Sequence, residues 1–313
     1  MPVLKLMLSP TIRLYYYARQ FIPRRLQIVL RRQFQIGKSR FGYTWPTYAL
    51  TEPLPGGWDG WPEGKKFALV LTHDVDSKVG YEKCLELAAI EECLGFRSVF
   101  NFVADEYDVS PKLRKELQER GFEIGIHGLY HNSFLYHSRE HFRKQAPRIN
   151  QVLKEWDAVG FRSPCMYHNL DWIHDLQVEY DASTFDMDPF EPQPDGMHTL
   201  FPIHVRKGFT DRAYVELPYT LPQDFTLFIL MRNRTTDIWK KKLEWIVRNG
   251  GMALMITHPD YMCFDGKKPS YSEYDVDLYR RFLEYIQTAY RDQYWHVLPK
   301  EIARFWVRLA GGE

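Results

Sequence analysis

The sequence predicts an α/β domain built on a largely parallel sheet, and two observations carry that expectation. From Lys66 onward, short buried-type apolar runs alternate with segments of helical periodicity, the pattern of repeated βα units, whose sheet is open or closed into a barrel. The polar residues with chemical potential fall directly after those strands, where α/β proteins place their sites.

The elements follow in order. Phe67–Leu71 is an apolar strand, and residues 80–94 carry apolar positions at 84, 85, 87, 88 and 90, which predicts a helix. Strands are expected at 98–103, 122–126, 159–161 and 180–184, with helices at 111–120, 139–156 and 170–177 between them. After a Pro-rich loop at 189–196 come three further strands (200–205, 214–217 and 226–230), a helix at 238–248, a strand at 252–257 and a long helix at 273–290. No internal repeat or low-complexity tract interrupts this order.

Composition bounds what surrounds the domain. The 313 residues carry a net charge of +1, which argues against nucleic acid as the main partner. That balance hides a segregation: Met1–Leu50 holds nine Lys and Arg and no acidic residue. Those nine leave 32 of the 41 basic residues against all 40 acidic ones in the remainder. Three zones result, a basic arm at 1–50, a Gly/Pro/Trp linker at 51–65 and the α/β domain at 66–313. Within the arm, 24–35 reads as a short basic amphipathic helix, and Pro23 pushes Ile22 out of helical geometry. Such a helix suits peripheral contact with a membrane surface or a polyanion, or packing on its own domain or a second subunit. Oligomeric state is not encoded in any pattern found.

The start, MPVLKLMLSPTIR, is too short and interrupted for a secretory signal, and no stretch approaches the ~18 apolar residues of a membrane span. Four cysteines form no disulfide or zinc framework, since Cys84 and Cys93 fall on opposite sides of one helix. The expectation is a cytoplasmic protein, peripheral at the membrane if the arm anchors it. Trp58 and Trp61 offer flat faces for a sugar, although packing against the domain is the simpler role for linker tryptophans.

Four segments carry chemistry. In Leu71-Thr-His-Asp-Val-Asp76, strand alternation points Asp74 and Asp76 to one side and His73 to the other. Two neighbouring carboxylates repel unless a cation or proton is shared. In His127-Gly-Leu-Tyr-His131, imidazoles four apart share a face if the turn is helical. Two His and a carboxylate suit a divalent ion. In Gly160-Phe-Arg162-Ser-Pro-Cys165, Arg162 is placed to hold a carboxylate with its two-pronged guanidinium. In Ile256-Thr-His258-Pro259, the proline keeps His258 extended at a strand end, where it can serve as a general acid. The histidines at 137, 141, 168, 174, 198, 204 and 296 lack such placement and are read as structural.

In this order and spacing the four segments resemble the polysaccharide deacetylase family, also called the NodB-homology or carbohydrate esterase family 4 domain, over roughly residues 66–260. The resemblance implies a distorted (β/α) barrel that removes acetyl groups from amino sugars or acetylated polysaccharides. It implies Asp74 as general base, Arg162 as its orienter, and Asp76, His127 and His131 as ligands of a divalent metal, Zn²⁺ foremost, with Co²⁺, Ni²⁺ or Mn²⁺ as alternatives. His258 becomes the acid that protonates the leaving amine, and the backbone N–H of Cys165 an oxyanion donor.

Three departures stand out. Val75 separates aspartates that are commonly adjacent, a spacing that resembles the branch with peptidoglycan deacetylase-like and cyclic-amide-hydrolysing members. Cys165 stands where an aromatic is common. The carboxylate that tunes the acid is open between Asp181, Asp186 and Asp188. The expected function is N-deacetylation of an amino sugar in a glycan or glycan precursor of surface polysaccharide synthesis. A cyclic amide or ureide hydrolase and a non-catalytic glycan-binding relative are the alternatives.

Overall fold

The computed structural model describes residues 22–39, 54, 58–132, 134–191, 195–207, 213–264 and 266–311. The start of the arm (1–21) and its junction with the linker (40–53) lie outside the described residues.

The strand Phe67–Val75 (β1) organises the domain. All nine of its residues are buried, as befits a strand covered on both faces. It pairs in parallel with Met252–Thr257 (β8) along one side, Leu71 standing opposite Met255. On its other side, its first half pairs with Tyr294–His296 (β9) and its second half with Val99–Phe102 (β2). The sheet continues in parallel through Glu123–Ile126 (β3), Gly160–Phe161 (β4) and Tyr180–Asp181 (β5) to Ala213–Glu216 (β7). The edge strand Ile203–Arg206 (β6) then returns antiparallel.

Among the described residues nine strands thus curl into a half-barrel whose gap is bridged by irregular chain. The amides of Thr220 and Leu221 donate to Leu254 O, and the Met252 amide donates to Leu200 O at 2.7 Å. This is the distorted (β/α) barrel expected. The major helices are Arg24–Ser39 (α1), Cys84–Cys93 (α2), Pro111–Glu119 (α3), Arg139–Glu155 (α4), Asp237–Arg248 (α5), Asp277–Ala289 (α6) and Pro299–Gly311 (α7).

Several expected elements are corrected. The helix expected at 80–94 breaks into Lys78–Tyr81 and α2, and the one at 170–177 shrinks to Leu170–Ile173. Residues 226–230 form no strand. They belong to a π-helical turn, Phe225–Leu230, whose six side chains are all buried. A short run that is apolar on every side carries no period, so the sequence cannot separate strand from helix there. The long helix begins at Asp277 rather than near 273, and β9 and α7 lie beyond the last element expected.

The linker tryptophans pack at the end of the barrel where the strands begin. Trp61 Nε1 donates to Gly250 O at 2.7 Å, and its ring lies among Phe201, Trp295, Phe305 and Trp306. Gly250 precedes β8, so Trp58 and Trp61 seal the barrel floor and are remote from the strand ends that carry the chemistry.

Candidate metal and acid–base site

Asp74 and Asp76 emerge from the C-terminal end of β1 on one side, as alternation requires. His73 turns the other way and is held inside by Thr257 (2.7 Å) and Glu91 (2.9 Å). Glu91, itself fully buried, also accepts from Ser98 and Tyr279, so this imidazole is structural.

The expected ligands converge. Asp76, His127 and His131 offer one donor atom each, all within 4.8 Å of one another. His131 Nε2 lies 3.2 Å and His127 Nε2 3.5 Å from Asp76 Oδ1. That oxygen is buried without a hydrogen-bond partner, the state expected of an atom shaped for a cation. His127 Nδ1 donates to Arg162 O at 3.0 Å, which leaves Nε2 with its lone pair toward the cluster. Asp76 Oδ2 accepts from Tyr261 at 3.2 Å. These donors fit a divalent ion with open positions.

The two histidines do not share a helical turn. Residues 127–132 form a loop that leaves β3, pinned by the Ala104 and Asp105 amides on Gly128 O and Leu129 O. Gly128 makes the bend with φ of 72°, and a Cβ there would meet Pro164 at 2.6 Å. His127 and His131 therefore converge through a glycine bend rather than helical spacing.

Asp74 is set between two supports. Arg162, fully buried, reaches it from β4 across the barrel, its Nη1 donating to Asp74 Oδ1 and Thr72 Oγ1 while Nε donates to Ala182 O. The pair is thus made through one nitrogen and is not the two-pronged grip expected. Asn101 on β2 donates to the same Oδ1 at 2.9 Å. Space for that amide exists because residue 125 is glycine, where a Cβ would lie 2.1 Å from Asn101 Oδ1. Burial alone would raise the Asp74 pKa, but Arg162, His127, His258 and Asn101 together hold it below the usual carboxylate range.

His258 completes the group from the end of β8. Its Nδ1 lies 2.6 Å from Asp224 Oδ1, and its amide donates to Asp224 Oδ2 at 2.8 Å. Burial works against the charged imidazole, yet Asp224, Asp76 and Asp74 push its pKa up to about 10. Asp224 also accepts from the Phe225 amide and from Tyr274, so its carboxylate is fixed from four directions.

The carboxylate against His258 is therefore Asp224, and the three candidates from sequence have other partners. Asp181 accepts from Ser183, and burial raises its pKa and that of Glu216, its neighbour on the adjoining strand. Asp186 pairs with the buried Lys242 at 2.5 Å. Asp188 accepts from the Phe190 amide, and burial with Glu191 alongside raises it to about 8. Asp224 escaped detection because it introduces the turn misread as a strand. The one signal available was an Asp placed before an apolar run, in Pro222-Gln-Asp224-Phe, as a helix cap.

Cys165 lies on the turn directly after Arg162 and Ser163, in left-handed backbone geometry with φ of 59°. Among the remaining histidines, His168 has a carboxylate partner, Asp195, at 3.3 Å.

No family model matches the chain, and no curated protein does. Solved structures do match. A protein described as a polysaccharide deacetylase from Mycobacterium smegmatis is 19% identical, with a TM-score of 0.61 over 82% of this chain and 95% of its own. One so described from Pseudomonas aeruginosa PAO1 is 16% identical, with a TM-score of 0.60 over 84% of this chain and 98% of its own. The chain has the NodB-homology fold. PuuE allantoinase shares it at 16% identity and a TM-score of 0.62, over 84% of this chain and 98% of its own. Within the NodB-homology fold, the cluster occupies the strand ends that the sequence motifs marked.

Proposed function

We propose that the chain is a divalent-metal-dependent N-deacetylase acting on an acetylated amino sugar in a glycan or glycan precursor. The observation that supports this reading is the pairing of two supported acid–base groups around one ligand cluster. Asp74, held by Arg162, lies 4.0 Å from His127 of the cluster, and His258, held by Asp224, lies within electrostatic reach of Asp76. Asp76, His127 and His131 would hold the ion, with zinc favoured by the imidazole and carboxylate donors. When bound, such an ion activates water and polarises an acetyl carbonyl.

The protein groups divide the proton transfers. Asp74, ionised by its surroundings, accepts the proton lost by the attacking water. His258 hands its Nε2 proton to the departing amine, because Nδ1 is committed to Asp224. Amide hydrolysis needs both transfers, and a binding protein needs neither.

The test is metal content of protein purified without chelators, beside Asp76→Ala and His131→Ala. About one ion per chain, absent from both variants, is expected, together with acetate release from N-acetylated sugars by the wild type alone. No ion after reconstitution would sink the reading. A second reading, hydrolysis of a cyclic amide or ureide, is favoured by the Asp74-Val75-Asp76 spacing and the shared fold of PuuE allantoinase. Turnover of cyclic ureides with none of N-acetylated sugars would select it.

A further inference from the structure

We propose that α1 and the neighbouring loop at 231–234 form a docking face for an anionic membrane surface, beside the candidate site. The helix carries five Lys and Arg in 16 residues and no acidic one. Its inner side is anchored on the domain. Ile28 is buried, Arg32 Nε donates to Ile229 O at 2.9 Å, and the Arg31 guanidinium lies 4.7 Å over the Phe225 ring. The helix is therefore held against the domain surface on this side.

Its outer side is the unusual one. Leu26, Val29 and Leu30 are 49%, 46% and 43% exposed and share one arc of the helix, turned away from Ile28. Arg25 borders that arc and stacks at 4.8 Å over Tyr271, an exposed ring. Arg232, also exposed, stands near enough to Arg32 to lower its pKa further after the effect of burial. Among the described residues, Arg25, Arg31 and Arg32 contact rings and carbonyls and pair with no carboxylate. Like charges gathered this way call for an external anion.

The aliphatic arc decides which anion. A soluble polyanion is met by arginines alone and gains nothing from three exposed aliphatic side chains. A bilayer interface takes both, the arginines at the phosphate level and the aliphatic groups at the acyl boundary. No helix among the described residues is long and apolar enough to cross a membrane, so the contact would be peripheral. The face also adjoins the site. Arg31 lies on Phe225, Phe225 lies 4.7 Å from Tyr261, and the Tyr261 hydroxyl reaches Asp76.

The experiment is co-flotation of the full-length protein with vesicles of phosphatidylcholine alone and of phosphatidylcholine with phosphatidylglycerol. Flotation with the anionic vesicles only, weakened by salt, is expected. Leu26→Ser, Val29→Ser and Leu30→Ser together should reduce binding about tenfold or more with an unchanged melting temperature. A second variant, Arg25→Gln with Arg232→Gln, should weaken it about fivefold for each arginine. Absence of flotation with anionic vesicles overturns the proposal. So does a serine variant that floats like the wild type, since that would mark a patch for soluble polyanions. None of these readings depends on whether the protein hydrolyses an amide.

Discussion

One carboxylate, Asp224, fixes both the ring and the backbone of His258, accepting hydrogen bonds from Nδ1–H at 2.6 Å and from the amide at 2.8 Å. The imidazolium is thereby stabilised up to a pKa of about 10. A folded-state pKa above the unfolded value stabilises the protein fully below pH ~6.5, and this contribution is lost as the pH rises through the folded value. Asp224→Asn keeps the shape and removes the charge. Activity is expected to fall about 10–100-fold, and the alkaline limb of kcat/KM to move to lower pH by more than about one unit. An alkaline limb left in place, measured across the pH range, would show that Asp224 does not tune the acid.

Arg162 supports the opposite group. Arg162→Met leaves Asp74 buried without its cation and the Ala182 carbonyl without a donor. Breaking such a pair costs about 3–5 kcal/mol at neutral pH. In the wild type the depressed Asp74 pKa contributes stability above the unfolded carboxylate value, lost as the pH falls. In the variant, burial dominates and Asp74 rises, so the acidic limb of activity should move to higher pH. Urea denaturation should show the deficit shrinking from pH 7 to pH 5. A deficit that does not change with pH would mean lost packing rather than lost charge pairing.

The parts of the site legible in sequence were those whose residues follow a strand directly. Asp74, Asp76, Arg162 and His258 each terminate an apolar run, and alternation alone oriented His73 away from the aspartates. Residues placed by three-dimensional accommodation were hidden. Asn101 acts because Gly125 on the next strand leaves room for it, a relation between two strands that neither sequence segment displays. The loop geometry of His127 and His131 depends on the Gly128 bend and on amides from residues 104 and 105, so the two rings converge by a route other than the i to i+4 helical spacing. Asp224 was hidden by the strand expected at 226–230, and the strand β9 owes its place to pairing with the start of β1 rather than to its own three residues.

Outside the site, Glu123 makes the stability of the barrel pH-dependent. It is buried on β3, accepting from Tyr180 at 2.9 Å and from the Lys300 amide at 3.2 Å, and no ion pair is recorded for it among the described residues. Burial outweighs those donors and pushes its pKa up to about 7 from a reference of 4.5. For an acid, a raised folded pKa means that the folded state prefers the proton, so stability declines as the pH rises from the reference to the folded value. At ~1.4 kcal/mol per unit the loss approaches ~3 kcal/mol. Glu123→Gln keeps one acceptor for Lys300 and offers an amide donor to Tyr180. The variant should match the wild type at pH 5 and exceed it by about 2–3 kcal/mol at pH 8, read by chemical denaturation. A variant weaker at both pH values would show that the ionised carboxylate is stabilised where it lies, and that Tyr180 and Lys300 need its charge.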